Sequence, residues 1–496
     1  MSCDAPRWRS RLRAAALGGA LAALAGCSLA PPYQPPPAPA PGPAYKEAGD
    51  WLQARPADAA PRGNWWSVFG DAQLDTLEGQ AAAGNQDLKA AFARLVQARD
   101  AARVARAAYY PQLTLGADPT RQRQSSNAPK FSHQFAQVYS DYSLSADFSY
   151  ELDVWGRVRN AASSARAQAQ ASAADLAALD LAIRAELAAD YFMLCGDDAQ
   201  QLLLDRTVVD YARALQLTQN LYDGGAAALT DVAQARAQLE TARTQAEDVR
   251  LRRAQLEHAI AVLTGNPPSA FRLEPKPLSA SPPPLDPGLP SALLERRPDV
   301  AAAERRVASA NAQIGVARAA YFPQFSLSAS AGFEGSTASN WLEAPSRTWS
   351  LGPSALLTVF DAGRISALSD QARAAYDETV ADYRSSVLGA YQDVEDNLAA
   401  LRQLERESLS EADAVAATRK VLEQATLRYK AGAASYLEVV TAENAALAAQ
   451  QSQVDIQTRR MSAAVLLVKA LGGGWHGAAL QQSMNRTGPP QGNATH

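Results

Sequence analysis

Residues Tyr142 to Val154, YSLSADFSYELDV, alternate apolar and polar side chains without a break, the pattern of a strand with one dry and one wet face. The same alternation runs through PQLTLGAD from Pro111, PQFSLSASAGF from Pro323 and WSLGPSALLTVF from Trp349. In the last of these Leu351, Pro353, Ala355, Leu357 and Val359 share a face. Between the strand pairs the period changes to that of helices. Residues Arg157 to Tyr222 and Arg364 to Lys430 contain no proline and a single glycine each, Gly196 and Gly389. Each predicts one helix of about 100 Å. Tyr376, Val380, Tyr383, Val387, Tyr391, Val394, Leu398 and Leu401 step by threes and fours like a coiled-coil seam, as do Leu176, Leu179, Ile183 and Leu187. Both long helices stop at a glycine-bearing turn and are expected to run back as Leu229 to Leu263 and Ala433 to Leu471. Shorter helices are predicted at Gln86 to Tyr110 and Asp299 to Phe322, each ending before a proline.

The chain is therefore one unit written twice. ARAAYYPQLTLGAD recurs as ARAAYFPQFSLSAS, and LYDGGAAALTDVAQARAQL as RYKAGAASYLEVVTAENAAL. The offset is 212 residues from Pro111 to Pro323 but 207 from Gly156 to Gly363 and from Gly225 to Gly432, so the second copy is shorter between its strands. We divide the chain into a signal segment (1–26), a Pro-rich tether (27–62), a first repeat (63–270), a linker (271–297), a second repeat (298–473) and a tail (474–496).

Composition narrows the class. Among 496 residues 47% are hydrophobic and 20% charged, with a net charge of −4 that excludes a basic nucleic-acid footprint. Arg7 to Arg13 followed by the apolar run Ala14 to Ala25 read as an export signal too short to span a bilayer. The run ends LAGC, which resembles the bacterial lipoprotein signal and makes Cys27 the expected acylation site. No later apolar stretch is long enough for a transmembrane helix, so any span must be made by strands. Alternation alone also fits a sheet covering a core in water; export and tyrosines at strand ends favour the membrane. Four strands cannot close, because an open edge in lipid leaves backbone groups unpaired. Two chains give a filled eight-strand barrel, whereas three give twelve strands and, beneath them, about twelve helices enclosing a bore of roughly 25 Å. Four histidines without metal or triad spacing, and no phosphate loop, offer nothing catalytic. Cys195 is expected to be a core residue and His258 a packing or surface residue.

These residues, and above all NWWSVFGDAQLDTLEGQ, RRPDVAAAERRVASANAQIGVARAAYFPQFSLSA and RYKAGAASYLEVVTAENAAL, resemble the outer-membrane efflux proteins, the TolC-like exit ducts, and specifically their lipoprotein branch. The resemblance implies a homotrimer of mainly α architecture with four transmembrane β-strands per chain. Its 12-strand β-barrel would continue into a 12-helix α-barrel in the periplasm. It further implies a periplasmic adaptor, an inner-membrane pump of the resistance-nodulation-division class, no cofactor beyond the lipid on Cys27, and no enzymatic activity. Cargo stays open between small molecules and secreted polypeptides, and the alternative of another class is a lipid-anchored periplasmic coiled-coil protein.

Carried over residue by residue, the resemblance makes the helix reversals a periplasmic gate. Glu438 matches one position of an acidic selectivity ring, and the other falls on Thr441. Leu437 matches a hydrophobic constriction. Thr230 and Asp231 match first-turn partners of Tyr429 in a latch of hydrogen bonds, since the family's basic partner is replaced by Ala434. Gly224, Gly225 and Gly432 are expected in left-handed turns where an adaptor would dock. Ser435 and Glu438 have capping-box spacing. Ser143, Ser145, Asp147, Ser149, Glu151 and Asp153 are expected to line the barrel lumen.

Overall fold

The computed structural model describes residues 28–42, 44–48, 64–125, 127, 138–285 and 296–475. In chain order the elements are α1 (Ala72–Gly84), α2 (Gln86–Ala107), β1 (Gln112–Arg123), β2 (Val138–Leu152), α3 (Arg157–Asp223) and α4 (Leu229–Leu263). The second copy follows with α5 (Pro298–Ala319), β3 (Gln324–Gly335), β4 (Arg347–Leu356), α6 (Arg364–Lys430) and α7 (Tyr436–Ala470). Helices α3 and α6 hold 67 residues each and α4 and α7 hold 35 each, so the duplication is kept to the residue. Among the described residues no helix is long and apolar enough to cross a membrane.

Two compact units divide the chain, one within 1–37, 96–171 and 303–383, the other within 38–95, 172–302 and 384–496. In the first, the strands form one antiparallel sheet in the order β1-β2-β3-β4. The register has no bulge: Gln112 faces Ser149 and Arg123 faces Val138, Tyr142 faces Gly335 and Leu152 faces Phe325, Gln324 faces Leu356 and Phe333 faces Arg347. Because one slipped residue would exchange the faces, unbroken pairing keeps a single apolar face across all four strands. One row of it reads Leu113, Phe148, Ala329, Leu351. Strand β4 stops at Leu356, leaving Leu357 and Val359 beyond the pairing.

The second unit has its main core where α1 meets the middle of α3. Trp65, Trp66, Leu74, Leu77, Leu187, Tyr191, Phe192 and Ile260 pack there with Met461 and Val465 of α7, and buried Cys195 is among them as expected. Glu78, fully buried, meets Arg184 at 3.4 Å, and that guanidinium lies 4.6 Å over the Trp66 ring. Burial pushes the Glu78 carboxyl up to about 8 against the pull of Arg184. The predicted seams are in place, with Val387, Val394, Leu398 and Leu187 at most 1% exposed. His258 is exposed on α4.

Several described residues of the Pro-rich segment are seated on the helices. Ser28 Oγ donates to Asn160 Oδ1 (3.1 Å), Asn311 Nδ2 to the Pro31 carbonyl (2.9 Å), and the Tyr33 hydroxyl to Glu304. In the other unit the Glu395 carboxylate accepts from the Lys46 and Glu47 amides at 2.8 and 2.9 Å, and Tyr45 is buried. Proline removes backbone donors, so carbonyls and side chains hold such a strand in place. The interrepeat linker is likewise docked where described, with the Leu278 amide on the Cys195 carbonyl at 2.9 Å. Residues 1–27, Cys27 among them, and the tail from 476 lie outside the described residues.

Candidate functional site

Two places carry the residues singled out in the sequence: the polar face of the sheet and the helix reversals.

On the sheet, Ser143, Ser145, Asp147, Ser149 and Glu151 of β2 share one face, opposite Asp118, Gly116, Thr114 and Gln112 of β1 and next to Glu334, Ser330 and Ser328 of β3. Ser145 Oγ donates to Asp147 Oδ2 at 2.7 Å. Asp153 departs from expectation. Strand β2 ends at Leu152, and the Asp153 carboxylate accepts the Val158 and Arg159 amides at 2.9 Å each, closing the start of α3 where four amides lack helical partners. Asp153 is thus a helix cap rather than a strand residue. Glu151 keeps its face but is engaged by Arg157, whose Nε donates to Oε1 at 2.7 Å and Nη2 to Oε2 at 2.5 Å. Alternation in β1 and β3, read with the same rule as in β2, was enough to add Asp118 and Glu334; only their register needed the fold. On the other face Leu115 is 78% and Trp349 79% exposed. A sheet covering a core in water would bury such side chains.

The reversals are built alike. After α3 the Ala226 amide donates to the Leu221 carbonyl (2.8 Å) and Gly225 to Tyr222 (2.9 Å). After α6 Ala433 donates to Arg428 (2.8 Å) and Gly432 to Tyr429 (2.9 Å). These paired bonds close a helix through a left-handed residue, and Gly225 (φ 74°) and Gly432 (φ 70°) supply it. Gly224 does not have positive φ, and its counterpart in the second copy is Ala431. The Asp231 carboxylate accepts from the Ala228 amide at 3.3 Å at the start of α4.

Two expectations at the reversals are corrected. Ser435 precedes α7 without a side-chain capping bond, because the Glu438 carboxylate that would complete the box turns instead to Arg428, accepting from Nη1 at 3.0 Å. Glu438 is therefore paired within its own chain. Thr441 donates back to the Leu437 carbonyl at 2.9 Å, and Leu437 is exposed. Among the described residues the buried Tyr429 hydroxyl has no hydrogen-bond partner, so no bond reaches Thr230 or Asp231. Its ring instead packs on Tyr436 at 5.2 Å, over Ala235, Val439 and Val440. What joins the reversals is apolar contact, which a search for hydrogen-bond partners overlooks.

Below this cluster lies Glu443 of α7, 7% exposed, with Oε2 unpaired. Burial, then the charge of Asp210, raises its carboxyl to about 7. Helical spacing from Tyr436 could have marked it as inward-facing.

The sequence profile described as "Outer membrane efflux protein" matches residues 77–266 and 289–473. The toluene efflux pump outer membrane protein TtgF of Pseudomonas putida is 34% identical over 471 residues, spanning 92% of this chain and 96% of that one. The pyoverdine export outer membrane protein OpmQ of Pseudomonas aeruginosa is 32% identical over 429 residues, 86% of this chain and 90% of its own. The solved structure of the outer-membrane channel OprN superposes with a TM-score of 0.83 at 31% identity, covering 90% of this chain and all (100%) of that one. With its repeats, four-stranded sheet and long helices matching throughout, the chain belongs to the outer membrane efflux protein family and is an outer-membrane channel, not an enzyme.

Proposed function

We propose that three copies of this chain, each anchored by a lipid on Cys27, form a passive exit duct for small organic molecules. A periplasmic adaptor docked on the reversals would couple it to an inner-membrane pump of the resistance-nodulation-division class. The observation that carries this reading is the sheet, which presents exposed Leu115 on β1 and Trp349 on β4 and leaves both edge strands unpaired among the described residues. Hydrocarbon around the apolar face and neighbouring copies at the edges satisfy both demands, and twelve strands leave a water-filled centre. The relatives named for toluene efflux and pyoverdine export support small organic cargo.

The polar row from Ser143 to Glu151 would then line the lumen, while Glu438, Leu437, Tyr429, Thr230 and Asp231 surround the periplasmic mouth. Gly225 and Gly432 would set the turns that meet the adaptor. The test is the mass of the protein in mild detergent together with conductance in planar bilayers: a trimer with long-lived ionic steps is expected. A monodisperse monomer that passes no current refutes the duct. Replacing Cys27 by Ser should abolish labelling by a fatty-acid probe; undiminished labelling refutes the anchor.

A further inference from the structure

The buried stripe of α7 runs Tyr436, Val439, Val440, Glu443, Ala446 and Leu447, each at most 9% exposed, and Glu443 is the one acid in it. Seven residues, two helical turns, separate Glu443 from Tyr436, so the two lie about 10 Å apart on one side of the helix. Tyr436 in turn packs on Tyr429 of α6, the contact that joins the reversals. Oε2 of Glu443 meets no hydrogen-bond donor among the described residues. A buried carboxyl with a free oxygen is tolerated as the neutral acid and costly as the anion.

The helices packed around this stripe bring titratable groups of their own. α3 brings Tyr211 and also Asp210, which is ion-paired with exposed Arg213 at 3.4 Å. α4 brings Asp231, whose charge reaches Tyr436, and α6 brings the Tyr429 hydroxyl, also without a partner. Arg236 and Glu240 of α4 and Arg419, Lys420 and Glu423 of α6 are exposed. The charge of Asp210 opposes a negative charge on Glu443, and among the described residues no base offsets it. Burial, and then the charge of Glu443, raise the phenols of Tyr211 and Tyr436, so both stay protonated where Glu443 changes charge.

We propose that Glu443 is a proton-operated stop for the periplasmic entrance. Protonated, it lets α7 lie against α3 and α4 with Tyr436 on Tyr429, and the reversals stay joined. Loss of the proton places an unpaired charge in the stripe. Water must enter to solvate it, α7 parts from its neighbours, and Tyr436 is drawn off Tyr429. The entrance therefore tightens in acid and loosens as the pH approaches neutrality. The step from loosened reversals to an open passage rests on the duct reading; the loosening itself does not. With the packed carboxyl at about 7 and the wetted one near its ordinary value, the loosened state of each chain gains up to about tenfold per pH unit between those values and levels off above 7.

The experiment uses the full protein with two readouts taken from pH 5 to 8.5: leak conductance in planar bilayers, and hydrogen–deuterium exchange in mild detergent over residues 221–231 and 428–440, corrected for the pH dependence of intrinsic exchange. Wild type is expected to leak more, and to lose protection at both reversals, as pH rises to about 7, with no further change above it. E443Q, which keeps the shape of the neutral acid, should hold the acid-state leak and protection throughout. Glu443→Met, which cannot ionise either, should give the same flat profile and stands in should the Gln variant fold poorly. A measurable wild-type leak that ignores pH, or a rise that E443Q reproduces, overturns the proposal, as does protection that falls alike in both proteins. A protein that passes no current yet shows the exchange difference refutes the duct and leaves the proton-operated stop standing.

Discussion

Arg428 should act as a built-in brake on the charge of the mouth, and removing it should turn a weakly selective entrance into a cation-selective one. In each chain Arg428 Nη1 holds Glu438 Oε2 at 3.0 Å, with both side chains about half exposed (57% and 46%). An ion pair this wet contributes about 0.2 to 1 kcal/mol to stability, so Arg428→Ala should fold and assemble normally. In the proposed trimer the electrostatic effect is larger because three copies add. A cation about 8 Å from each freed carboxylate gains about 0.5 kcal/mol per charge in water before screening. Screening leaves about 0.6 kcal/mol for three charges at 0.15 M salt and about 1.2 kcal/mol at 0.01 M. Local cation concentration then rises about threefold and about sevenfold respectively. Reversal potentials across planar bilayers under a salt gradient measure this as the cation-to-anion permeability ratio. Because anions are depleted by the same factors, Arg428→Ala should raise the ratio by at least those factors, and adding Glu438→Gln should return it to or below the wild-type value. A ratio unchanged by Arg428→Ala at low salt, or a rise that survives Glu438→Gln, would show that Glu438 does not face the permeating ion.

Tyr429→Phe should leave thermal stability unchanged or raise it by about 1 kcal/mol, since it removes a buried hydroxyl with no partner. Tyr436→Ala, emptying a site only 2% exposed, should cost about 3 to 5 kcal/mol and raise the leak current; equal effects of the two would restore a hydrogen-bonded latch. Glu443, whose folded carboxyl is raised to about 7, holds its proton more tightly folded than unfolded, so it favours folding below its unfolded value and is penalised as pH climbs through 7. Glu443→Gln should therefore stabilise the protein at pH 8 by about 3 kcal/mol and do little at pH 4; a pH-independent effect contradicts the assignment. Asp210, Tyr211 and Tyr436 also surround this carboxyl and need to be kept intact in that test. Gly332→Ala would set a Cβ 2.0 Å from the Leu144 carbonyl, parting β2 from β3, whereas a Cβ at Gly352 meets nothing within 4 Å. Heat-resistant assemblies on denaturing gels should vanish for the first and persist for Gly352→Ala.

The long helices were legible because nothing interrupts them: the expected Arg364 to Lys430 and Leu229 to Leu263 are α6 and α4 to the residue. Strand ends were harder. Apolar alternation fades after Asp118, yet pairing with β2 carries β1 on to Arg123. There the outward positions change from apolar to arginine, which hides the period while leaving the backbone ladder intact. Ser435 and Glu438 mislead for another reason, since a spacing rule is blind to Arg428 folding back across the turn to claim the carboxylate. The same holds for Asp153, continuous with the strand pattern in sequence but taken by the amides of α3. Tyr429 and Tyr436 meet through the geometry of a reversal, and no one-dimensional period encodes that contact.

The seating of Ser28 on Asn160 has a geometric corollary. Asn160 stands in the first turn of α3, just after the chain leaves β2 at Leu152. If position 27 is acylated as proposed, the residue that follows it is seated beside the foot of the sheet instead of on a floating leash. It would serve as a depth gauge, and lengthening the chain between 27 and 28 with flexible residues would uncouple that gauge while leaving the anchor itself attached.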